Sequence, residues 1–187
     1  MDQLTLYTHP RSRGRIARWM LEEIGEPYET VLLDYGEAMK SPSYLAINPM
    51  GKVPAVRHGE TVVTEAAAIC AYLADAFPDR GLAPPLHQRG AYYRWLFFAA
   101  GPVEAAVLAK GLGMEPPAER AQMVGYGTAS LAFETLANAL EPAPYIAGDT
   151  FSAADVYVGS QVMWGMMFDL MPKHTAFQAY VERLSGR

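Results

Sequence analysis

The stretch Asn48–Val56 constrains the fold of this chain more than any other. It reads Asn-Pro-Met-Gly-Lys-Val-Pro-Ala-Val, and Thr64-Glu65-Ala66 follows at short range. Because proline has no amide proton to give to a sheet, Pro54 should begin an edge strand or form a turn, which leaves the backbone of Val53 free. The glycine and lysine just before add a permissive backbone position and a mobile cation, and the glutamate opens a helix one hairpin later. One small, charged, extended ligand could contact all of these groups.

Alternating and helical apolar spacings predict an α/β domain over residues 1–77. The predicted elements are a strand at 4–7, a helix with Ser12 as N-cap that ends at Gly25, a strand at 28–33, a weak helix or irregular segment at 37–47, strands at 55–57 and 61–63, and a helix at 65–76. This βαβ-α-ββα order is the outline of a thioredoxin-like domain, whose opening βαβ unit takes the right-handed crossover.

The remaining half of the chain predicts an all-α C-terminal helical domain over residues 87–187. Residues 78–86 are rich in Pro and Gly and read as a linker. Beyond them helical spacing recurs without a convincing strand, and we expect helices at 87–110, 117–140, 153–168 and 173–184. Ser152 and Asp155 are spaced as a capping box, which predicts a helix start that does no chemistry.

Composition and charge exclude several classes of function. The net charge is −5 without a basic block, which argues against nucleic acid as a partner, because phosphate binding needs clustered Lys and Arg. No run approaches the roughly 18 apolar residues of a membrane span, and no signal-type segment opens the chain, so we expect a cytoplasmic protein without a membrane partner. The single cysteine, Cys70, should simply pack in a helix, and the scattered histidines predict no metal site.

The motif Asn-Pro-x-Gly-Lys-Val-Pro, followed by a hairpin and Thr-Glu-x-x-Ala-Ile, resembles the glutathione-binding half of the cytosolic glutathione transferases, in their bacterial, serine-type form. The resemblance implies a cis bond before Pro54 and strand-like pairing of the Val53 backbone with the cysteinyl part of glutathione. It also implies that Glu65 and its neighbour hold the γ-glutamyl end. Ala66 departs from the family, which usually has Ser or Thr there, so only its backbone amide remains for the ligand.

The family reaction is attack of the glutathione thiolate on an electrophile. A thiol with a pKa near 8.5 is mostly protonated at neutral pH, so the protein must stabilise the anion. Ser12 stands where the serine-type members carry their catalytic serine, and a plain N-cap is the alternative role. Tyr7 resembles the tyrosine of other classes, although packing in the sheet is the favoured role. His9 could contact the sulfur, but an exposed turn histidine is the simpler expectation.

Three charged residues are candidate ligand contacts. Lys52 could pair with the glycyl carboxylate of glutathione, with a solvated loop lysine as the alternative. Glu65 is favourable near a helix N-terminus by about 0.3–1 kcal/mol through the helix dipole alone, and the motif favours the ligand role. Arg13 could assist an anionic ligand, or form part of a salt-bridged helix surface.

The resemblance therefore implies a glutathione S-transferase that uses glutathione as co-substrate, needs no metal and attacks a small hydrophobic electrophile. It also implies a homodimer with a role in detoxification. The alternatives are a transferase-like binding or interaction protein that conjugates nothing, and a glutathione-dependent isomerase.

Overall fold

The computed structural model describes residues 3–187; residues 1 and 2, which the sequence assigns to the first domain, lie outside the described residues. The chain divides into two compact units, Met1–Ala83 and Pro84–Arg187. The division falls inside the segment 78–86 that the sequence suggests as a linker. The first unit is a thioredoxin-like α/β domain and the second is helical, which confirms the predicted fold class.

In the first unit, strands and helices follow each other in the predicted order. The elements are β1 (Leu4–Thr8), α1 (Gly14–Ile24), β2 (Tyr28–Leu32), α2 (Pro42–Leu45), β3 (Ala55–His58), β4 (Thr61–Thr64) and α3 (Ala66–Ala76), with 3-10 turns at Ala38–Lys40 and Pro78–Arg80. The strands form one four-stranded sheet in the order β2-β1-β3-β4. β1 is parallel to β2, and the other neighbouring strands are antiparallel.

Helix α1 buries the apolar positions that its spacing predicts, which are Ile16, Ala17, Met20, Leu21 and Ile24. It ends where Gly25 adopts a φ of 70°, a left-handed conformation that glycine adopts without steric strain. Its first residue, Gly14, lies so close to β1 that an added Cβ would overlap the hydroxyl of Thr8. The turn between β1 and α1 is therefore packed directly onto the strand.

Helix α3 packs against α1 and the strands β3 and β4. Cys70 is fully buried in α3, as its place on the apolar side of the helix predicts. Burial raises the pKa of this thiol, because the interior disfavours the thiolate. Cys70 is thus a packing residue rather than a nucleophile.

The second unit contains five α-helices and a π-helical turn within the described residues. They are α4 (Gly90–Phe98), the π-helical turn Ala99–Val103, α5 (Glu104–Leu112), α6 (Ala129–Ala139), α7 (Ala153–Met167) and α8 (Thr175–Ser185). The helices predicted at 153–168 and 173–184 agree with α7 and α8 to within two residues. The capping box is also present, with the Ser152 amide donating to the Asp155 carboxylate at 2.9 Å.

The helix predicted at 117–140 is wrong over its first half. Residues Ala118–Met123 form a 3-10 turn, and α6 begins only at Ala129. The turn ends at Val124, whose backbone is extended, and Gly127 follows with a φ of 66°, a left-handed conformation. The Thr128 hydroxyl then accepts a hydrogen bond from the amide of Leu131 at 3.1 Å and caps the new helix. Apolar residues recur at helical spacing on both sides of this interruption, which is why the sequence pattern predicted one long helix.

Helix α4, the π-helical turn and α5 form one apolar helix, Gly90–Leu112, of 23 residues with a mean hydropathy of 1.3 in its best window. By length and composition this helix could cross a membrane, so the expectation that no segment reaches such a length is wrong. It packs against α6 and α7 within the helical unit. A core helix of an all-helical unit meets the same two criteria.

Candidate functional site

Four chain segments meet at one edge of the sheet. Thr8 pairs with Leu32, so the ends of the parallel strands β1 and β2 lie side by side. Tyr7 pairs with Ala55, and Ala55 pairs with Thr64, so the start of β3 and the end of β4 reach the same edge. The register therefore brings together the β1–α1 turn, the loop after β2, the loop before β3 and the start of α3.

Ser12 forms the β1–α1 turn with its side chain. Its hydroxyl donates to the carbonyl oxygen of His9 at 2.6 Å and accepts the amide of Gly14 at 3.0 Å. The predicted N-cap role is wrong by one position, because Arg13 is the N-cap of α1 and makes no side-chain cap bond. Ser12 is nevertheless buried at the edge of the sheet, immediately before the helix.

His9 is buried, so the expectation of an exposed turn histidine is wrong. Its Nδ1 accepts the amide of Arg11 at 3.2 Å, and its ring lies 4.3 Å from the ring of Tyr35, centroid to centroid. The Nε2 atom lies 4.0 Å from a carboxylate oxygen of Asp34. Both covering residues come from the loop after β2, which no local pattern of the sequence connects to His9.

Tyr7 lies in a hydrophobic cluster with Met39, Tyr44 and Ala55. The rings of Tyr7 and Tyr44 are 5.7 Å apart, centroid to centroid. Because side chains alternate along a strand, Tyr7 occupies the face of the sheet opposite to Leu6. Its aromatic ring therefore contributes to the core of this unit.

The loop before β3 is fixed by polar contacts to its backbone. The Lys52 carbonyl oxygen accepts two hydrogen bonds, from the Tyr44 hydroxyl at 2.7 Å and from the Asn48 side-chain amide at 2.7 Å. The peptide bond Val53-Pro54 is cis, as the resemblance implies. Within residues 3–187 the amide and carbonyl of Val53 make no hydrogen bond to the chain, so both are available to a ligand.

A second pair of contacts holds the same loop from the segment before α2. Gly51 has a φ of 57°, and a Cβ added there would lie 2.5 Å from the carbonyl oxygen of Met39. The ammonium group of Lys40 donates to the carbonyl of Met50 at 2.8 Å. Lys52 itself is exposed, with its side chain open to solvent. Sequence reasoning identified Gly51 and Lys52 but not Lys40, which lies in a segment without a regular pattern.

At the start of α3, Glu65 adopts a φ of 66° and a ψ of 117°. A non-glycine residue in this region carries strain of order 1–3 kcal/mol, and such strain clusters at ligand-binding sites. The Glu65 carbonyl accepts the amide of Ile69 at 2.8 Å, while its carboxylate is exposed and makes no cap bond. Ala66 is the buried first residue of α3, where helix amides lack intrahelical acceptors.

The edge thus combines groups of complementary chemistry. Two helix N-termini, from α1 and α3, supply amides and partial positive charge. Arg13 is half-buried beside the first of them, and Lys52 and Glu65 add a cation and a carboxylate. No group of three or more His, Cys, Asp or Glu residues that could hold a metal ion occurs among the described residues. The arrangement can bind an extended zwitterionic molecule and stabilise an anion near the β1–α1 turn.

Comparison with known proteins gives consistent matches. Residues 2–75 match the family model described as "Glutathione S-transferase, N-terminal domain". Glutathione S-transferase F10 of Arabidopsis thaliana is 31% identical, over 82% of this chain and 76% of that protein. Glutathione S-transferase GstA of Escherichia coli O157:H7 is 27% identical, over 98% of this chain and 94% of that protein. The theta class glutathione S-transferase of Xanthomonas axonopodis pv. citri, crystallised with glutathione bound, has a TM-score of 0.77 at 28% identity, covering 100% of this chain and 94% of that one.

Proposed function

Because this chain belongs to the glutathione S-transferase family, we propose that it activates the thiol of glutathione for attack on a small hydrophobic electrophile. The observation that carries the proposal is the meeting of the β1–α1 turn, the Val53-Pro54 corner and the start of α3 at one edge of the sheet. These groups correspond to the parts of an extended peptide with a thiol in its middle and carboxylates at both ends.

In this proposal, glutathione lies along the edge in an extended form. The free amide and carbonyl of Val53 pair with the cysteinyl backbone, next to Pro54. The ammonium group of Lys52 pairs with the glycyl carboxylate, and the carboxylate of Glu65 accepts a hydrogen bond from the α-amino group. The backbone amide of Ala66 donates to the γ-glutamyl carboxylate, assisted by the positive end of the α3 dipole.

The sulfur then lies near the β1–α1 turn, where Ser12 is the proposed hydrogen-bond donor. The hydroxyl now donates to the His9 carbonyl, a neutral acceptor. A neutral hydrogen bond contributes about 0.5–1.5 kcal/mol and one to a charged group about 1.5–3 kcal/mol, so exchange of the carbonyl for a thiolate is favourable. Lowering the thiol pKa by two units requires about 2.7 kcal/mol, which this bond and the α1 dipole together can supply, with Arg13 as a nearby cation.

The chemical step needs no further group from the protein. The thiol proton leaves to solvent when glutathione binds, and the sulfur electron pair forms the new bond to the electrophilic carbon. The leaving group departs with the electrons of the broken bond, or in an addition the pair moves onto the acceptor atom. Holding the thiolate in place beside an apolar substrate is therefore the main contribution of the protein.

We extend the proposal to a cytoplasmic homodimer of the bacterial type that acts in detoxification. Large apolar side chains are open to solvent along Gly90–Leu112, with Phe97 71% and Leu112 68% exposed. Exposed apolar surface of this kind marks interaction sites, for a second subunit or for a hydrophobic substrate. Light scattering after size-exclusion chromatography tests the dimer directly.

A non-catalytic glutathione-binding protein is the second candidate function. Two observations favour it. The Ser12 proton is already engaged by the His9 carbonyl, and Ala66 offers no side-chain hydroxyl to the ligand. Both would weaken activation or binding without changing the fold.

Isothermal titration of glutathione, with S-hexylglutathione in parallel, tests the proposal. Binding of both, tighter for the hexyl form, is expected from a glutathione site beside an apolar pocket, and a chromogenic electrophile then tests turnover. Binding without turnover across an electrophile screen would favour the second candidate. Absence of binding at millimolar ligand would overturn both.

Two matched variants localise the binding site. Glu65→Gln removes the carboxylate at the proposed amine contact and should weaken glutathione binding about tenfold or more, since a bond to a charged group contributes about 1.5–3 kcal/mol. Glu60→Gln removes an exposed carboxylate in the hairpin, at the far end of β4. Equal loss of affinity in the two variants would place the ligand elsewhere.

A further inference from the structure

Tyr35 contacts the β1–α1 turn at two points. Its hydroxyl donates to the carbonyl of Arg11 at 3.0 Å. Its ring covers the imidazole of His9, with the ring planes inclined at 53°. The residue stands in the loop directly after β2, which the sheet register brings to the end of β1.

The turn that Tyr35 contacts is closed by bonds that converge on His9. The Ser12 amide and hydroxyl both donate to the His9 carbonyl, at 3.1 and 2.6 Å. The Arg11 amide donates to the His9 imidazole at 3.2 Å. The direction of the Ser12 hydroxyl therefore depends on where His9 and Arg11 are held, and Tyr35 touches both.

Tyr35 contributes little to the hydrophobic core. Its side chain is 58% exposed and lies outside the cluster formed by Tyr7, Met39, Tyr44 and Ala55. Removing its hydroxyl should therefore leave the folded unit intact. Its contacts nonetheless converge on the one turn that carries the proposed thiolate donor.

We propose that Tyr35 is a positioning residue, which holds the His9–Ser12 turn so that the Ser12 hydroxyl and the first amides of α1 face the glutathione sulfur. This inference rests on the proposed function. Tyr35 need not touch the ligand. It acts by limiting the turn to one arrangement, so that the Ser12 oxygen is already in place when glutathione binds and only the hydroxyl proton must turn from the His9 carbonyl to the sulfur.

The pKa of bound glutathione, read from the ultraviolet absorbance of its thiolate, tests the inference. Tyr35→Phe keeps the ring on His9 and removes the bond to Arg11. It should raise the bound thiol pKa by about one unit, which leaves about tenfold less thiolate at neutral pH. The kcat/KM at neutral pH should fall about tenfold and recover at alkaline pH, with the melting temperature unchanged. Tyr35→Ala, which also uncovers the imidazole, should raise the thiol pKa further.

Tyr28→Phe is the matched control, because Tyr28 stands at the other end of β2 and donates a similar exposed bond to Glu22 at 2.7 Å. It should leave the thiol pKa as in the wild-type protein. If the wild-type protein lowers the pKa of the glutathione thiol and Tyr35→Phe lowers it by the same amount, this inference alone is overturned. A wild-type protein that shows no thiolate signal would overturn the proposed function, and this inference with it.

Discussion

The hydroxyl of Ser12 lies 2.6 Å from the carbonyl oxygen of His9 and donates to it. The hydroxyl oxygen of Ser12 in turn accepts a hydrogen bond from the amide of Gly14 at 3.0 Å. The Ser12 hydroxyl proton, which the proposed mechanism needs to stabilise the thiolate, is thus already hydrogen-bonded to the His9 carbonyl before the ligand binds. Ser12 can serve both the turn and the thiolate only if the ligand replaces the His9 carbonyl as acceptor.

Replacement of Ser12 by Ala tests this exchange. Loss of a hydrogen bond to a charged sulfur, about 1.5–3 kcal/mol, should lower kcat/KM for conjugation about 10- to 100-fold and raise the pKa of bound glutathione. The turn should also lose about 1 kcal/mol of stability, measured by urea unfolding. Tyr7→Phe is the comparison. If it abolishes activity while Ser12→Ala does not, the tyrosine supplies the hydroxyl.

Ala66→Ser should improve glutathione binding. The change adds a hydroxyl at the first position of α3, where the family usually carries Ser or Thr. A new hydrogen bond of about 0.5–1.5 kcal/mol corresponds to a dissociation constant about 2- to 10-fold lower, measured by isothermal titration. Ala68→Ser adds the same group at an exposed position of the same helix and should change nothing. Equal effects of the two variants would contradict the proposed place of the γ-glutamyl carboxylate.

The sequence predicted the first unit well because its signals are local. The alternation of β1, the apolar face of α1 and the Val53-Pro54 motif each lie within a few neighbouring residues. The burial of His9 was missed because Tyr35 and Asp34, which cover it, come from another strand end. Contacts between distant segments leave no periodic pattern, so the supports of the site emerged only with the sheet register.

In the helical unit the same distinction holds. The capping box of Ser152 and Asp155 is a four-residue signal and was predicted correctly. The bond from Tyr180 to Asp155, at 2.7 Å, joins α8 to the start of α7 and has no local signature. The false helix over 117–128 shows the opposite error, because the helical spacing of the sequence continues through a segment that the extended backbone of Val124 and the positive φ of Gly127 interrupt.

Gly51→Ala should weaken glutathione binding as well as stability. The new Cβ would meet the Met39 carbonyl at 2.5 Å, and alanine at a φ of 57° is strained by about 1 kcal/mol or more, so the loop that carries Lys52 and Val53 must shift. Gly59→Ala is the matched control, because Gly59 has the same φ of 57° in the far hairpin. Both variants should have a lower melting temperature than the wild-type protein, but only Gly51→Ala should raise the KM for glutathione. An unchanged KM would show that the loop does not position the ligand.

Tyr44 should make the first unit sensitive to alkali. Burial raises the pKa of Tyr44 from 10.0 to about 12. Between these values the unfolded chain releases the phenol proton and the folded chain keeps it, so stability falls as pH rises. Its contribution is fully present below pH 10 and is lost as pH rises through about 12. In Tyr44→Phe the free energy of unfolding should fall less steeply over this range, while from pH 7 to 9 the two curves should run parallel. Parallel curves up to pH 12 would contradict the assignment.

Tyr180→Phe should destabilise the helical unit. The Asp155 carboxylate is fully buried and accepts bonds from the Ile146 amide, the Ser152 amide and hydroxyl, and the Tyr180 hydroxyl. Removing one donor from a buried carboxylate costs about 1–3 kcal/mol, which should lower the melting temperature by several degrees. Tyr93→Phe removes a bond with Arg89 at the surface and should have a much smaller effect, because exposed polar contacts exchange readily with water. If the two variants have the same melting temperature, the other donors suffice for the Asp155 carboxylate without Tyr180. The link between α8 and the start of α7 is then a packing contact only.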